Sequence, residues 1–154
     1  MAFIILLIKS FQVLYVYLRK IDASSLGDYL LSIIVIHNTL EFNSVSNTAK
    51  SIIVLSNTCN EMSLTEFLLP GFDQLESISI GDNCFQNVRE FHLNQMNELK
   101  SLVIGNNSFA NNNFSILKSF SISNCSKLEL IEINSYAFRE YFSMQLSGIL
   151  GLMS

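Results

Sequence analysis

The sequence contains few of the residues that usually separate folded domains. Its 154 residues include one proline and six glycines, and no stretch is enriched in either. Flexible linkers are normally rich in glycine, serine or proline. A boundary between two independent globular domains is therefore not indicated. Because 49% of the residues are hydrophobic, the chain can bury the core of one ordinary domain.

Charged residues are also scarce, at 14% of the chain. A typical soluble domain carries about a quarter, so serine and asparagine must supply much of the polar surface here. The net charge is -4, and the nine basic residues are scattered along the sequence. A nucleic-acid-binding surface requires clustered lysine and arginine. We therefore expect no nucleic-acid partner.

The three cysteines are Cys59, Cys84 and Cys125, an odd number without a C-x-x-C pair. This pattern encodes neither a zinc site nor a closed disulfide framework. At least one thiol stays free, which favours a reducing compartment and hence a cytoplasmic location over a secreted or membrane-anchored one. One disulfide remains open as an alternative, with Cys59 and Cys84 as its candidates.

Sequence signatures of catalysis and cofactor binding are missing. The two histidines, His37 and His92, have no Ser, Cys or carboxylate at a spacing with catalytic precedent. No phosphate-binding glycine loop, dinucleotide fingerprint, H-E-x-x-H or EF-hand loop is found. We therefore expect no enzymatic activity, no catalytic residue, no metal and no cofactor.

The most hydrophobic stretch lies at the N-terminus, where residues 1–18 precede Arg19 and Lys20. As a signal peptide it lacks an early basic region, and as a membrane span it must accommodate Lys9, Ser10 and Gln12. It could also be a buried cap for one end of a fold, or a spurious extension of the reading frame. Residues 1–31 are thus predicted to be an apolar extension that acts as cap, leader or anchor, and a membrane contact is expected only through residues 1–18.

The rest of the chain contains an internal repeat. Residues 75–85, 99–109 and 128–138 share the pattern L-x-x-L-x-L-x-x-N-x-L with phenylalanine last, although Tyr136 replaces the asparagine of the third copy. The preceding halves also repeat, with equivalent phenylalanines at 67, 91 and 120, which gives spacings of 24 and 29 residues. Fainter copies at 32–39 and 51–58 align with each other serine to serine. Laying Ile53 on Ile78 places Cys59 at the position of Cys84. Such periods are typical of stacked-repeat proteins.

These segments resemble the leucine-rich-repeat proteins, over residues 32–150 and most clearly over 67–138. The sequence pattern of residues 120–133 looks like that of the BspA-like branch, which is found in surface proteins of bacteria and protists. The proline that usually follows the strand in this branch is missing. The resemblance implies an α/β or mostly β fold. It would be a solenoid with a parallel sheet on one face and short strands with irregular or 3-10 connections on the other.

Side-chain periodicity assigns roles within each repeat. The period-2 spacing of Ile78 and Ile80 predicts a short strand whose alternate side chains point into the core. Asn83 and Asn107 are predicted to satisfy backbone groups of neighbouring turns in a buried ladder. Gly81 and Gly105 follow the strands and are predicted to allow a positive φ or a tight turn.

The predicted function is protein binding, because stacked repeats present an extended face formed by strand residues that point away from the core. The partner is expected to be a protein or peptide, since this face is mostly uncharged and partly apolar. An alternative is a structural or cell-surface adhesion fragment of a longer repeat array, with self-association through uncapped ends. The predicted partner-binding residues are Ser77, Ser79, Ser101, Val103, Leu130 and Glu132 on this face, with Asp82, Asn106 and Asn134 at its rim.

Overall fold

The computed structural model describes residues 32–110 and 117–150. The extension predicted at residues 1–31 lies outside the described residues, so its interpretation as cap, leader or anchor stays a prediction. The described residues from Ile33 onward belong to one unit. In chain order its elements are β1 (Ile33–Ile36), α1 (Thr39–Asn43), β2 (Ser51–Val54), β3 (Glu66–Phe67), β4 (Ser77–Ile80), β5 (Glu90–Asn94), β6 (Ser101–Ile104), β7 (Ser119–Ser123), β8 (Leu130–Ile133) and β9 (Ser143–Ser147).

The first sheet has five parallel strands in the order β1-β2-β4-β6-β8. Its strands arise from the predicted core segments of the repeat. Ile78 and Ile80 are 1% and 2% exposed, while Ser77 and Ser79, which alternate with them in β4, are half-buried on the opposite face. The predicted parallel sheet and its inward side chains are confirmed, and the fold is mostly parallel β with little helix.

The short strands predicted on the other face are joined into a second sheet. It contains four parallel strands in the order β3-β5-β7-β9. In β5 the buried Phe91 and Leu93 alternate with Glu90, His92 and Asn94 on the outside. This alternation buries one face of a strand against the core. The flanking half of each repeat is therefore a strand in its own right.

The strand pairing of the two fainter N-terminal copies differs by one residue from the alignment that the sequence suggested. Ile34 pairs with Ile52, where the sequence alignment had placed Ile33. Ile52 pairs with Ile78, where the alignment had placed Ile53. A one-residue slip moves every side chain to the other face of a sheet. As a result Cys59 is equivalent to Phe85 and not to Cys84. The backbone agrees, because Cys59 and Phe85 both have positive φ, at 58° and 56°.

Two columns of phenylalanine fill the space between the sheets. In one column Phe91 stacks on Phe67 and Phe120, with ring centroids 4.8 Å and 5.0 Å apart. In the other, Phe109 stacks on Phe85 and Phe138 at 5.1 Å and 4.6 Å. Rings of different columns meet edge to face, an arrangement that stabilises aromatic pairs beyond their buried area. The core is therefore a continuous stack that no single repeat could build.

The chain turns off the first sheet through residues in the left-handed backbone region. Asn57, Asn83 and Asn107 have φ of 63°, 55° and 54°. Asparagine tolerates this region better than most residues. Tyr136 keeps the same conformation, with φ of 62°, so the change of residue type there does not alter the turn.

Gly81 and Gly105 directly precede the turns that follow β4 and β6, as one of the two predicted alternatives required. The glycines with positive φ among the described residues are Gly71 and Gly148, so the expected positive φ at Gly81 and Gly105 is wrong. A Cβ atom at Gly105 would lie 2.5 Å from the carbonyl carbon of Gly81, and one at Gly81 would lie 2.6 Å from the amide nitrogen of Ser56. Glycine is required there because adjacent backbones approach too closely for any side chain.

The N-terminal end of this core is covered by α1. Asn38 caps the helix, and its side chain accepts a hydrogen bond from the backbone N–H of Glu41 at 2.9 Å. The helix directs Phe42 inward, where its ring lies 5.1 Å from Phe67 and 5.0 Å from Phe85. Phe42 is 5% exposed. Both phenylalanine columns therefore begin under this helix.

Candidate functional site

The predicted partner-binding residues of the strands lie together on the outward surface of the first sheet, which we call the outer face. Strand register places Ser77, Ser101 and Leu130 in one row. Ser79, Val103 and Glu132 form a second row beside it. The rows continue toward the N-terminus through Ser51 and Ile53 of β2. Residues far apart in sequence thus form one contiguous surface.

The middle of the outer face is flat and uncharged. Ser77, Ser79, Ser101 and Val103 are all half-buried by their neighbours. The Ser77 hydroxyl donates a hydrogen bond to the Ser51 hydroxyl at 2.8 Å, so part of the polar surface is satisfied internally. Exposure rises toward the C-terminal strand, where Leu130 is 42% exposed. Burial of this surface under a partner would desolvate no charge in its middle, and the hydroxyls would need hydrogen bonds from the partner or from each other.

One border of the outer face is a polar ladder that includes two predicted rim residues. The Asp82 carboxylate accepts hydrogen bonds from the Asn106 backbone N–H at 2.6 Å and from its side-chain amide at 3.1 Å. The Asp82 backbone N–H in turn donates to the Ser56 hydroxyl at 3.0 Å. These contacts tie three successive turns together. Asp82 and Asn106 therefore have a structural role in addition to any contact with a partner.

Asn134, the third predicted rim residue, lies one position away from this ladder. Its backbone N–H donates to the Ile104 carbonyl, as the Gly105 N–H does to Ile80, so Asn134 occupies the glycine position. Its side-chain amide also donates to the Ile104 carbonyl at 3.0 Å and to Glu132 at 3.3 Å. Asn134 thus contacts the outer face through Glu132 and is not equivalent to Asp82 or Asn106.

The opposite border is a row of alternating charges that the sequence analysis missed. Each member directly precedes a strand of the first sheet, from β2 to β8. From the second member onward, the backbone N–H donates to the backbone carbonyl of the member one repeat earlier. Lys100 and Glu76 form an ion pair, with Nζ and Oε2 2.6 Å apart. The available signal was one charged residue just before each strand, at the repeat spacing. From the N-terminal side the row is Lys50, Glu76, Lys100 and Glu129.

The asparagine ladder differs from its prediction. The Asn83 side chain donates to the Asn57 side-chain oxygen at 3.1 Å, but this contact is exposed, and Asn107 is exposed as well. The predicted burial is therefore wrong. These asparagines matter mainly because they adopt positive φ, while their backbone N–H groups bond to Asp82, Asn106 and Ser135 carbonyls of adjacent turns.

On the outward surface of the second sheet, register brings His92 and Ser121 together, which the sequence analysis did not foresee. His92 Nδ1 lies 2.6 Å from the Ser121 hydroxyl, and Nε2 lies 3.5 Å from Glu90. A nucleophile and base at this distance resemble a hydrolytic pair. Acyl transfer also needs free donors for an oxyanion, yet the amides of β5 and β7 belong to a parallel ladder. The absence of enzymatic activity stays a prediction.

The three cysteines are free and buried. Burial raises the pKa of Cys59 from 9.0 to about 11 and also raises the pKa of Cys84 and Cys125. The open alternative of a Cys59–Cys84 disulfide is therefore not realised here. Cys84 instead donates a weak hydrogen bond to the Leu55 carbonyl, with a sulfur–oxygen distance of 3.1 Å. Neutral, buried thiols of this kind are unreactive.

Within residues 32–110 and 117–150, no three His, Cys, Asp or Glu side chains come together in a way that could hold a metal ion. Over the same ranges, no helix has the length and hydrophobicity that crossing a bilayer requires. Comparison with protein-family models, with curated proteins and with solved structures found no match in any of the three searches.

Proposed function

We propose that this chain is a leucine-rich-repeat solenoid that binds a protein or peptide through the outer face and carries out no catalysis. The observation that supports the proposal is the alignment of Ser79, Val103 and Glu132 in one row, with Ser77, Ser101 and Leu130 beside it. Parallel strands offset by one repeat bring equivalent residues side by side. A short repeated pattern thereby becomes a continuous surface.

The chemistry of the outer face fits a polypeptide partner better than a phosphate ligand. Its centre is uncharged and partly apolar, while one border alternates lysine and glutamate and the other carries Asp82 and Asn106. Protein interfaces commonly have a desolvated centre and a polar rim. Alternating charges along the rim would favour a partner whose own charges alternate, because like charges in contact are costly.

Peptide-display selection against the full chain tests this proposal. Selected peptides should bind the native protein and lose binding when Ser79 and Val103 are both changed to arginine, since two buried, unpaired charges would disrupt the centre of the interface. The matched control changes His92 and Ser121 to arginine, because they are also register neighbours but lie on the second sheet. Both variants should keep the native circular dichroism spectrum.

Binding by the control at native strength, together with its loss in the outer-face variant, would support the proposal. Peptides that bind the outer-face variant as tightly as the native chain would contradict it. A selection that enriches no peptide at all would count against a peptide-binding function.

A further inference from the structure

The C-terminal end of the two sheets differs from the rest of the molecule in exposure. In the part of the chain that the structure describes, β8 and β9 each have a strand neighbour on one side only. All five residues of β9 are exposed, whereas the adjacent β7 buries Phe120 and Ile122. A strand edge with exposed side chains is a template for pairing with another chain.

The exposed side chains of β9 include two that point in the direction of the core. Met144 pairs in register with Phe120, and Leu146 pairs with Ile122. Phe120 and Ile122 are 1% and 0% exposed, but Met144 and Leu146 are each 56% exposed. These two side chains therefore have a neighbour on one side and an open surface on the other. Phe142, just before β9, adds a ring that is 67% exposed.

The opposite end of the stack cannot receive this surface without rearrangement. There Phe42 of α1 covers the rings of Phe67 and Phe85 and is itself buried. Head-to-tail stacking of two copies would require displacement of the helix. Two C-terminal ends, by contrast, can meet without displacing any helix or strand of the described residues.

The composition of β9 favours self-pairing. Its sequence, S-M-Q-L-S, contains no charged residue and no proline, although natural edge strands are usually protected by such residues. The neighbouring edge strand β8 does carry a charge, Glu132. Polar and apolar residues are also arranged symmetrically about Gln145 in β9: an apolar residue lies on each side of it, and a serine lies at each end. An antiparallel copy would therefore match polar with polar and apolar with apolar positions.

We propose that two copies of this chain form a closed dimer in which β9 pairs antiparallel with itself about Gln145. This register places Met144 against the partner's Leu146 and Ser143 against the partner's Ser147. The contact buries Met144 and Leu146 of both copies and provides backbone partners for the free edge. Because the two surfaces are identical, assembly stops at two copies and does not continue into a filament.

Sedimentation equilibrium of the full chain over a wide range of concentration tests the dimer. The native chain should show a reversible monomer–dimer equilibrium, and Met144→Asp should raise the dissociation constant about tenfold or more, because a carboxylate would face an apolar group of the partner. Leu40→Asp is the matched control, since Leu40 lies on α1 and is 80% exposed. It should leave the dissociation constant unchanged.

A chain that is monomeric at every concentration would overturn the proposal, and so would larger, open-ended oligomers. An equilibrium that Met144→Asp does not change, or that both variants change equally, would also overturn it.

Disulfide trapping gives a second test that leaves the core untouched. The native thiols are buried, so the thiol of Gln145→Cys should be the one that reacts. Oxidation should yield a covalent dimer, because Gln145 faces its own copy across the two-fold axis. Ser121→Cys is the control, since Ser121 occupies the same row one strand farther from the axis and should remain monomeric. A failure of Gln145→Cys to cross-link, or equal cross-linking of both variants, would contradict the proposed register.

Discussion

The middle of the stack and its C-terminal end have the same strand pairing but different burial. Phe120 in β7 and Met144 in β9 occupy equivalent positions and pair with each other in register, yet they are 1% and 56% exposed. Hydrogen bonding between strands therefore does not by itself build this core. A side chain is buried only when a further turn covers it, so stability should depend on position within the stack more than on residue type.

The largest expected effect compares these two equivalent residues. Phe120→Ala should destabilise the fold by about 3 to 5 kcal/mol, because it removes a ring stacked on Phe91 and leaves a cavity. Met144→Ala should cost less than about 1 kcal/mol, since most of its side chain is already in water. Chemical unfolding at low protein concentration measures both values. Equal losses would show that the end is as well packed as the middle.

A second comparison concerns close backbone contact. Gly105→Ala should destabilise the fold by about 1 to 3 kcal/mol, because its Cβ atom would overlap the Gly81 backbone and the two turns must separate. Asn134 occupies the same position one turn later and already carries a side chain, so Asn134→Ala should cost less than about 1 kcal/mol. Thermal unfolding of the two variants provides the measurement. A neutral Gly105→Ala would mean that the turns are not held this tightly.

A third comparison concerns a buried hydroxyl. Ser108 donates to the Gly81 carbonyl at 2.7 Å and accepts from the Cys84 N–H at 3.0 Å. Ser108→Ala should therefore cost about 1 to 2 kcal/mol, because two buried backbone groups lose their partner. Ser108→Cys should cost less, since Cys84 occupies the equivalent position one turn earlier and donates to Leu55. If Ser108→Ala unfolds at the same denaturant concentration as the native chain, these hydrogen bonds contribute nothing.

The smallest effect should appear only at high pH. The neutral Cys59 thiol is favoured in the folded state, because burial raises its pKa from 9.0 to about 11. Its contribution to stability should be constant below pH 9 and should be lost as the pH rises toward 11. The free energy of unfolding should fall less steeply over this interval in Cys59→Ala than in the native chain. Identical pH dependence of the two proteins would contradict the burial of this thiol.

The sequence predicted the first sheet because polar and apolar residues alternate within β4, and the repeat pattern extends the same phase to β6. It misplaced β1 and β2 by one residue because their segments are nearly all apolar, and a continuous apolar run fits either phase of a strand. Pairing with β4 then decides the phase. The short strands of the other face were predicted, because equivalent apolar pairs such as Phe91 and Leu93 recur in the flanking halves of the repeats. That they join into one sheet was not predicted, since it depends on the register between repeats.

The strand positions of the outer face were predictable, and so were Asp82 and Asn106 at one border, whereas the charged border was not. Ser77, Ser79, Ser101 and Val103 follow from alternation within a strand, which needs no knowledge of neighbouring strands. Glu76 and Lys100 lie just outside the strands and are 24 residues apart in the chain, so their ion pair depends on the register between repeats. Asn134 aligns with Gly81 and Gly105 in the sequence, but its side-chain contacts with Glu132 and the Ile104 carbonyl could not be predicted from that alignment.

Amide hydrogen exchange tests most directly whether covering by a further turn, and not strand pairing alone, determines local stability. The experiment follows the native chain at a concentration low enough to keep it monomeric. The amides of β6 and β7 should exchange slowest, through opening of the whole stack, while those of β8 and β9 should exchange faster, through local opening of the end. Equal protection of all four strands would contradict this explanation of the fold.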